Sequence, residues 1–196
     1  MAPDHQKTFN VPVNWENLTA ALCHYKTAGF TQVHAPWVIP PEYMKVTFPE
    51  RDAVFDQHNG GYQTCYGDLI GSAEQSLLYM LMTGQLAHGA YVSLTPCFRI
   101  EPEYDRLHSP YFAKVELFST REAHVTDLKG WTERALVYFQ KLAKPNIAFE
   151  IVETDIGYDI EANGVEVGSY NRISVQGHTW VCGTGLAEPR FSQVCL

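Results

Sequence analysis

Asn14 precedes Trp15, Leu18, Leu22 and Tyr25, apolar side chains spaced by three, four and three residues, and Gly29 follows them. Such spacing lays one apolar stripe along a helix, with Asn14 as its N-terminal cap and Gly29 as the left-handed residue that ends it. The stretch from Phe30 to Val38 alternates loosely and runs into Pro40-Pro41, which predicts an edge strand ending in a turn. Residues 45–70 are rich in Gly, Asp, Gln and Tyr with little periodicity and predict a long loop. Ser72-Ala-Glu-Gln75 opens a second helix as a capping box, with Leu77, Leu78, Leu81 and Leu86 as its apolar face and Gly89 as its end. A third helix is expected from Asp127 to Lys144, with Leu128, Trp131, Ala135, Tyr138 and Leu142 inward and Pro145 as its stop.

Elsewhere the pattern changes to period two. Strands are predicted at 91–101, 111–118, 147–152, 156–162, 165–169 and 179–182. Short polar turns between consecutive strands favour an antiparallel sheet with the helices packed on one of its faces, an α+β fold. No repeat, low-complexity stretch or Gly/Ser linker interrupts the pattern, so one domain is expected over residues 1–196.

Composition narrows the function classes. Of the 196 residues 45% are hydrophobic and only 18% charged, which suits a packed core and not a disordered tail. With 14 basic against 22 acidic side chains the formal charge is -8, so nonspecific affinity for a polyanion is not expected. The N-terminus lacks a basic segment followed by an apolar one, and no apolar run is long enough to span a bilayer, so a cytoplasmic protein is expected. Five widely spaced cysteines without a CxxC pair predict buried, reduced thiols.

The clearest physical signal is Tyr158-Asp-Ile-Glu-Ala-Asn-Gly-Val-Glu-Val-Gly168. Asn163-Gly164 is a strong two-residue hairpin turn. If it forms the loop, Ala162 faces Val165, Glu161 faces Glu166 and Asp159 faces Gly168. Asp159, Glu161 and Glu166 then share one surface above an apolar floor of Ile160, Ala162, Val165 and Val167. The face is either a solvated polar surface or an oxygen-ligand site for Mg2+, which uses one or two carboxylates together with substrate phosphates.

Three segments, in order, resemble the class II aminoacyl-tRNA synthetases. Ala28-Gly-Phe-Thr-Gln-Val-His-Ala-Pro36 is similar to motif 1, which carries a proline into a dimer interface. Thr95-Pro-Cys-Phe-Arg-Ile-Glu101 and His108-Ser-Pro-Tyr-Phe-Ala-Lys-Val-Glu116 resemble motif 2, with its FRxE signature and H-x-x-x-F-x-x-x-E return strand. Gly183-Thr-Gly-Leu-Ala-Glu-Pro-Arg190 resembles motif 3, with Ala187 at the third glycine as in seryl-type members. The resemblance implies an antiparallel sheet flanked by helices that binds ATP and Mg2+ and activates a carboxylate as its adenylate. By position it implies Arg99 on the α-phosphate, Glu101 on the adenine edge, and Phe112 and Arg190 on the two ring faces. His108 would lie near the β- and γ-phosphates, and Gly183 and Gly185 in the nucleotide site. Fixed guanidinium groups suit the negative charge that develops at phosphorus. The hairpin resembles that of the aspartyl, asparaginyl and lysyl subgroup, which implies Asp159 and Glu166 as Mg2+ ligands.

The substrate acid is not legible. Ser72-Ala-Glu74 falls where the family has its amino-acid loop but is intermediate between seryl-like and aspartyl-like forms, and Ser72 is also the helix cap. Ser169 and Arg172 lie where a side chain could be read, although Arg172 follows Glu166 by six residues where aspartyl enzymes have seven. Because the motifs span nearly the whole chain and its charge is negative, the expectation is a homodimeric ligase that passes the activated acid to a small molecule, ammonia or a protein. A minimal enzyme charging tRNA and a catalytically silent dimerisation module are the alternatives.

Overall fold

The computed structural model describes residues 12–47, 62–101 and 104–196. Its centre is a seven-stranded sheet in the order β1-β5-β6-β10-β9-β8-β7. The strands are β1 (Thr31–Gln32), β5 (Ala90–Phe98), β6 (Tyr111–Ser119), β7 (Phe149–Glu153), β8 (Gly157–Ala162), β9 (Val165–Val175) and β10 (His178–Glu188). A smaller sheet joins β2 (Val38–Ile39), β4 (Gly67–Leu69) and β3 (Gln63–Thr64). The helices are α1 (Trp15–Thr27), α2 (Pro41–Thr47), α3 (Ala73–Met82), α4 (Glu122–Thr126), α5 (Leu128–Leu142) and α6 (Arg190–Cys195). The fold is α+β, as the hydrophobic pattern predicts.

Local chemistry explains most boundaries. The Asn14 side chain accepts from the Asn17 amide, Gly29 adopts φ 95°, and Asp127 accepts from the Gly130 amide. At α3 both bonds of the capping box are formed between Ser72 and Gln75. Asn163 and Gly164, at φ 51° and 76°, make the expected hairpin turn. A second such turn at Gln176-Gly177 extends β9 and β10 well past the short strands expected there, since Val175 pairs with His178.

Several expectations are corrected. Helices cover both faces, not one: α1, α5 and α6 pack on the face bearing Val92, Val115, Ile160, Tyr170 and Leu186, while α3 packs on the other against Phe118 and Trp180. The sheet is not wholly antiparallel, because β1 pairs in parallel with β5, and only two residues of the expected 30–38 strand join it. Pro40-Pro41 starts a helix, since proline at the first helical position sacrifices no needed N–H. Within the loop expected at 45–70, residues 48–61 lie outside the described residues, and Gln63–Leu69 forms a hairpin. Helix α3 stops at Met82, before Gly84 at φ 74° and not at Gly89. The strand expected to reach Glu101 ends at Phe98. All five thiols are free, but Cys23 and Cys65 are exposed. Among the described residues no helix is long and apolar enough to cross a membrane.

The carboxylate hairpin also differs in register. Ala162 pairs with Val165 and Glu161 with Glu166, but a bulge follows, so Ile160 pairs with Gly168 and Asp159 with Ser169, not Gly168. The extra residue, Val167, is buried with Ile160 on the helix-covered face. Two inward residues opposite one partner are what a bulge permits.

Tyr170 ties these strands together. Its ring is fully buried, its hydroxyl donates to the Thr184 carbonyl, and an added Cβ on Gly183 would meet the ring at 2.3 Å. At Gly157 a Cβ would lie 1.9 Å from the Tyr170 carbonyl oxygen, which sits in a paired strand and cannot yield. Gly157→Ala is therefore expected to destabilise the fold by about 3 kcal/mol. Gly164→Ala meets no atom within 4 Å, so only its left-handed backbone resists, at about 1 kcal/mol. Urea denaturation of the two variants should preserve this order.

Candidate active site

The face of the sheet opposite α1 and α5 carries an open cleft. Strand parity builds it. Along β6, Phe112, Lys114 and Glu116 point to this face while Ala113, Val115 and Leu117 enter the helix-side core. Phe112 and Lys114 line the cleft with Arg99 and Glu101 from the segment after β5, His108 from the loop before β6, Glu166 from β9 and Thr184 from β10. Arg190, at the start of α6, closes the wall.

Three cations meet in or beside this space. The Arg99 guanidinium carbon lies 5.1 Å from the Phe112 ring centroid, and its Nε donates to the Gly71 carbonyl at 3.1 Å. Arg190 Nη1 stands 3.5 Å from Glu166 Oε1. Lys114 Nζ lies 2.8 Å from Glu116 Oε2. Burial alone would lower the lysine's proton affinity, but the Glu116 carboxylate more than reverses this and holds it above the ordinary lysine range. His108 is fixed by Asp105, whose Oδ1 accepts from the backbone of Leu107 and His108 at 2.7 Å and contacts His108 Nδ1 at 3.0 Å. The Leu107 N–H is the largest cause of a depressed Asp105 pKa, with His108 adding to it.

Deeper on the same face lies a polar cluster under α3. Glu116 is 1% exposed and accepts from Ser72 Oγ as well as Lys114. Glu74 Oε1 accepts from Trp180 Nε1 at 2.7 Å. Burial, reinforced by the Glu116 charge, raises the Glu74 pKa above its ordinary 4.5, against the opposing pull of the Trp180 and Cys182 hydrogen bonds. The same burial pushes the thiol of Cys97 up to about 11 and raises that of Cys182.

Of the residues singled out in the sequence, Arg99, Glu101, His108, Phe112, Glu166 and Arg190 all line the cleft. Ser72 and Glu74 lie in the adjoining polar cluster through their bonds to Glu116 and Trp180. Asp159 is on the Glu166 face but across the bulge, beside Ser169. The Ser169 amide donates to Thr184 Oγ1 and its hydroxyl accepts from Asn171. Arg172 shares the parity of Tyr170 and pairs with Val181, so it faces away from the cleft. Gly183 and Gly185 do not line the cleft either; they let Tyr170 and Tyr25 pack closely from the other face. The sequence pattern does not single out Lys114, Trp180, Thr184 or Glu188. The alternation Phe112, Lys114, Glu116 was the available signal for the lysine.

No family model matches the chain, and no characterised protein matches it by sequence. Solved structures do match. Seryl-tRNA synthetase from Pyrococcus horikoshii complexed with ATP superposes with TM-score 0.70 at 21% identity, covering 92% of this chain and 49% of that one. Cytoplasmic serine-tRNA ligase from Naegleria fowleri in complex with AMP gives 0.69 at 17% identity, covering 92% and 47%. PylSc of Desulfitobacterium hafniense, a pyrrolysyl tRNA synthetase, gives 0.67 at 14% identity, covering 93% and 67%. The chain has the class II aminoacyl-tRNA synthetase fold. It spans about half the length of the two seryl enzymes.

In this synthetase-like fold the cleft lies between the strands that carry the motif 2 and motif 3 resemblances. The buried pocket makes a pH prediction. Because the folded state holds the Glu74 proton more tightly than the unfolded chain does, its contribution to stability is complete below pH 4.5 and is lost as pH rises through the folded value. Glu74→Gln remains uncharged throughout. Its denaturation midpoint relative to the parent protein should therefore rise from pH 4.5 toward neutrality, where a pH-independent difference would place the ionisation elsewhere.

Proposed function

We propose that this chain is an ATP- and Mg2+-dependent ligase that activates an amino acid or related carboxylic acid as an acyl-adenylate and transfers it to an acceptor other than tRNA. One observation carries the reading: an aromatic platform, fixed cations and a buried carboxylate pocket succeed one another on a single strand face, at Phe112, Lys114 and Glu116. Nucleotide-bound proteins of the same fold support it.

In this reading adenine stacks on Phe112 with Arg190 on its other face, and Glu101 meets its edge. Arg99 binds the α-phosphate, and His108 donates toward the outer phosphates. A carboxylate oxygen of the acid attacks α-phosphorus and pyrophosphate departs. Arg99 neutralises charge that grows on the equatorial oxygens, and its orientation is already set by the Gly71 carbonyl, so little reorganisation is needed. The ammonium of an amino acid suits Glu74 and Glu116, two carboxylates facing one lysine, with Ser72 beside them. Ser169 lies on the cleft face with its amide bonded to Thr184 of the cleft wall and is the candidate reader of the substrate side chain, whereas Arg172 faces away.

Mg2+ would be held by Glu166 and Asp159. Hard carboxylate oxygens on one sheet face fit it, but among the described residues no three His, Cys, Asp or Glu side chains are grouped to hold a metal. Triphosphate oxygens must complete the shell. The ion would screen the triphosphate.

A homodimer through the segment around Pro36, where Trp37 is exposed beside Val38, and a cytoplasmic location belong to the same proposal. The neighbours are tRNA synthetases, which favours tRNA charging as a second reading; the formal charge of -8 weighs against it.

Exchange of labelled pyrophosphate into ATP, run with a panel of amino and other carboxylic acids, tests the reading. Arg99→Ala should lower exchange by about 10² to 10³ while leaving the fold intact; near-normal exchange would remove Arg99 from the chemistry. Asp159→Asn with Glu166→Gln should remove Mg2+-dependent ATP binding, measured calorimetrically, without loss of stability, because cross-strand carboxylate repulsion is relieved.

A further inference from the structure

Two subsites of different chemistry share one short piece of backbone, residues 70–72, between β4 and α3. Its first residue is anchored by the sheets: the Ile70 amide donates to the Trp37 carbonyl at 3.0 Å and its carbonyl accepts from the Phe98 amide at 2.8 Å. The next two residues carry the functional contacts. The Gly71 carbonyl accepts from Arg99 Nε, and the Ser72 hydroxyl donates to Glu116. Neither Gly71 nor Ser72 is held by strand pairing. Both of their amides donate instead to a single atom, Gln75 Oε1, at 2.8 Å and 3.2 Å.

Gln75 is buried at 9% exposure. An ordinary capping box needs its third helical residue to satisfy only the cap amide. The cap amide of Ser72 and the Gly71 carbonyl are opposite ends of one planar peptide, so holding that N–H turns the carbonyl outward toward the guanidinium, and the same Gln75 oxygen also takes the preceding Gly71 amide.

We propose that Gln75 is a positioning residue that couples the two halves of the site, setting Arg99 through the Gly71 carbonyl and Glu116 through the Ser72 hydroxyl. It touches no substrate. By holding two consecutive amides it fixes the peptide whose opposite sides meet the nucleotide arginine and the acid pocket. The proposal rests on the reading of Arg99 as an ATP ligand.

The test titrates ATP with Mg2+ into the full chain by calorimetry and follows amide exchange at Gly71 and Ser72. Gln75→Met keeps the side-chain length but offers no oxygen; ATP affinity should fall about tenfold, short of the 100-fold that a full ångström of misplacement can cost. Exchange at both amides should quicken. Gln75→Glu retains the acceptor and should recover affinity to within about twofold of the parent. Ser76→Ala removes a different α3 anchor, the hydroxyl bond to the Pro36 carbonyl, and should leave ATP affinity unchanged. If Gln75→Met fails to fold, Gln75→Asn, one methylene short of the amides, carries the same expectation. Parent-like affinity in Gln75→Met or Gln75→Asn despite faster exchange would overturn the coupling while leaving the ATP reading intact. Equal losses in Ser76→Ala would reduce the effect to helix stability and overturn it as well. An unmutated protein that binds no ATP would overturn the ATP reading itself, and the coupling with it.

Discussion

A carboxylate with almost no solvent exposure, Glu116, sits on the functional face of the central sheet, and the surrounding structure answers its charge. A buried ion must be paired and hydrogen-bonded, since its desolvation otherwise costs several kcal/mol. Lys114, two residues earlier on the same strand face, supplies the opposite charge, and Ser72 brings a hydroxyl from the start of α3. The placement of α3 is thereby tied to β6. A second carboxylate, Glu74, lies beside Glu116, and its raised proton affinity comes first from burial and then from the neighbouring Glu116 charge.

The opposite face has a different task. There the sheet is a dry core, and Tyr170 crosses it toward α1 and α5, with Tyr25, Trp131 and Phe139 nearby. Gly157 and Gly183 flank Tyr170 where any Cβ would collide with its backbone or ring, and a Cβ at Gly168 would sit tightly between Phe139 and Tyr170. Motif glycines that read from sequence as nucleotide contacts therefore serve close packing behind the cleft, as do Gly185 and Tyr25. The bulge at Val167 links the two tasks. It keeps Val167 and Gly168 both inward while leaving Glu166 and Ser169 on the functional face.

Glu188 shows how the third segment is anchored. It is fully buried and accepts from Asn17 Nδ2, from the Ser192 amide at 3.1 Å and from the Ser192 hydroxyl. One carboxylate thus joins α1, the end of β10 and the first turn of α6, next to Arg190. Three donors offset part of the burial that raises its pKa.

Patterns of short range were legible in the chain itself. Caps at Asn14, Ser72 and Asp127, the Asn163-Gly164 turn, and the shared face of Asp159 and Glu166 depend on neighbours a few residues away, so periodicity and side-chain chemistry determine them. The spaced motif residues also announced the cleft. What only tertiary structure decided involves partners far apart in sequence. The bulge, the covering of both sheet faces and the outward turn of Arg172 follow from which apolar volume fills which side of the sheet. The cluster of Ser72, Glu74, Glu116 and Trp180 includes a Glu74–Trp180 bond between residues 106 positions apart, and no local rule relates them. Their proximity is set by desolvation: a buried charge selects its partners through space, and only the folded sheet brings them within reach.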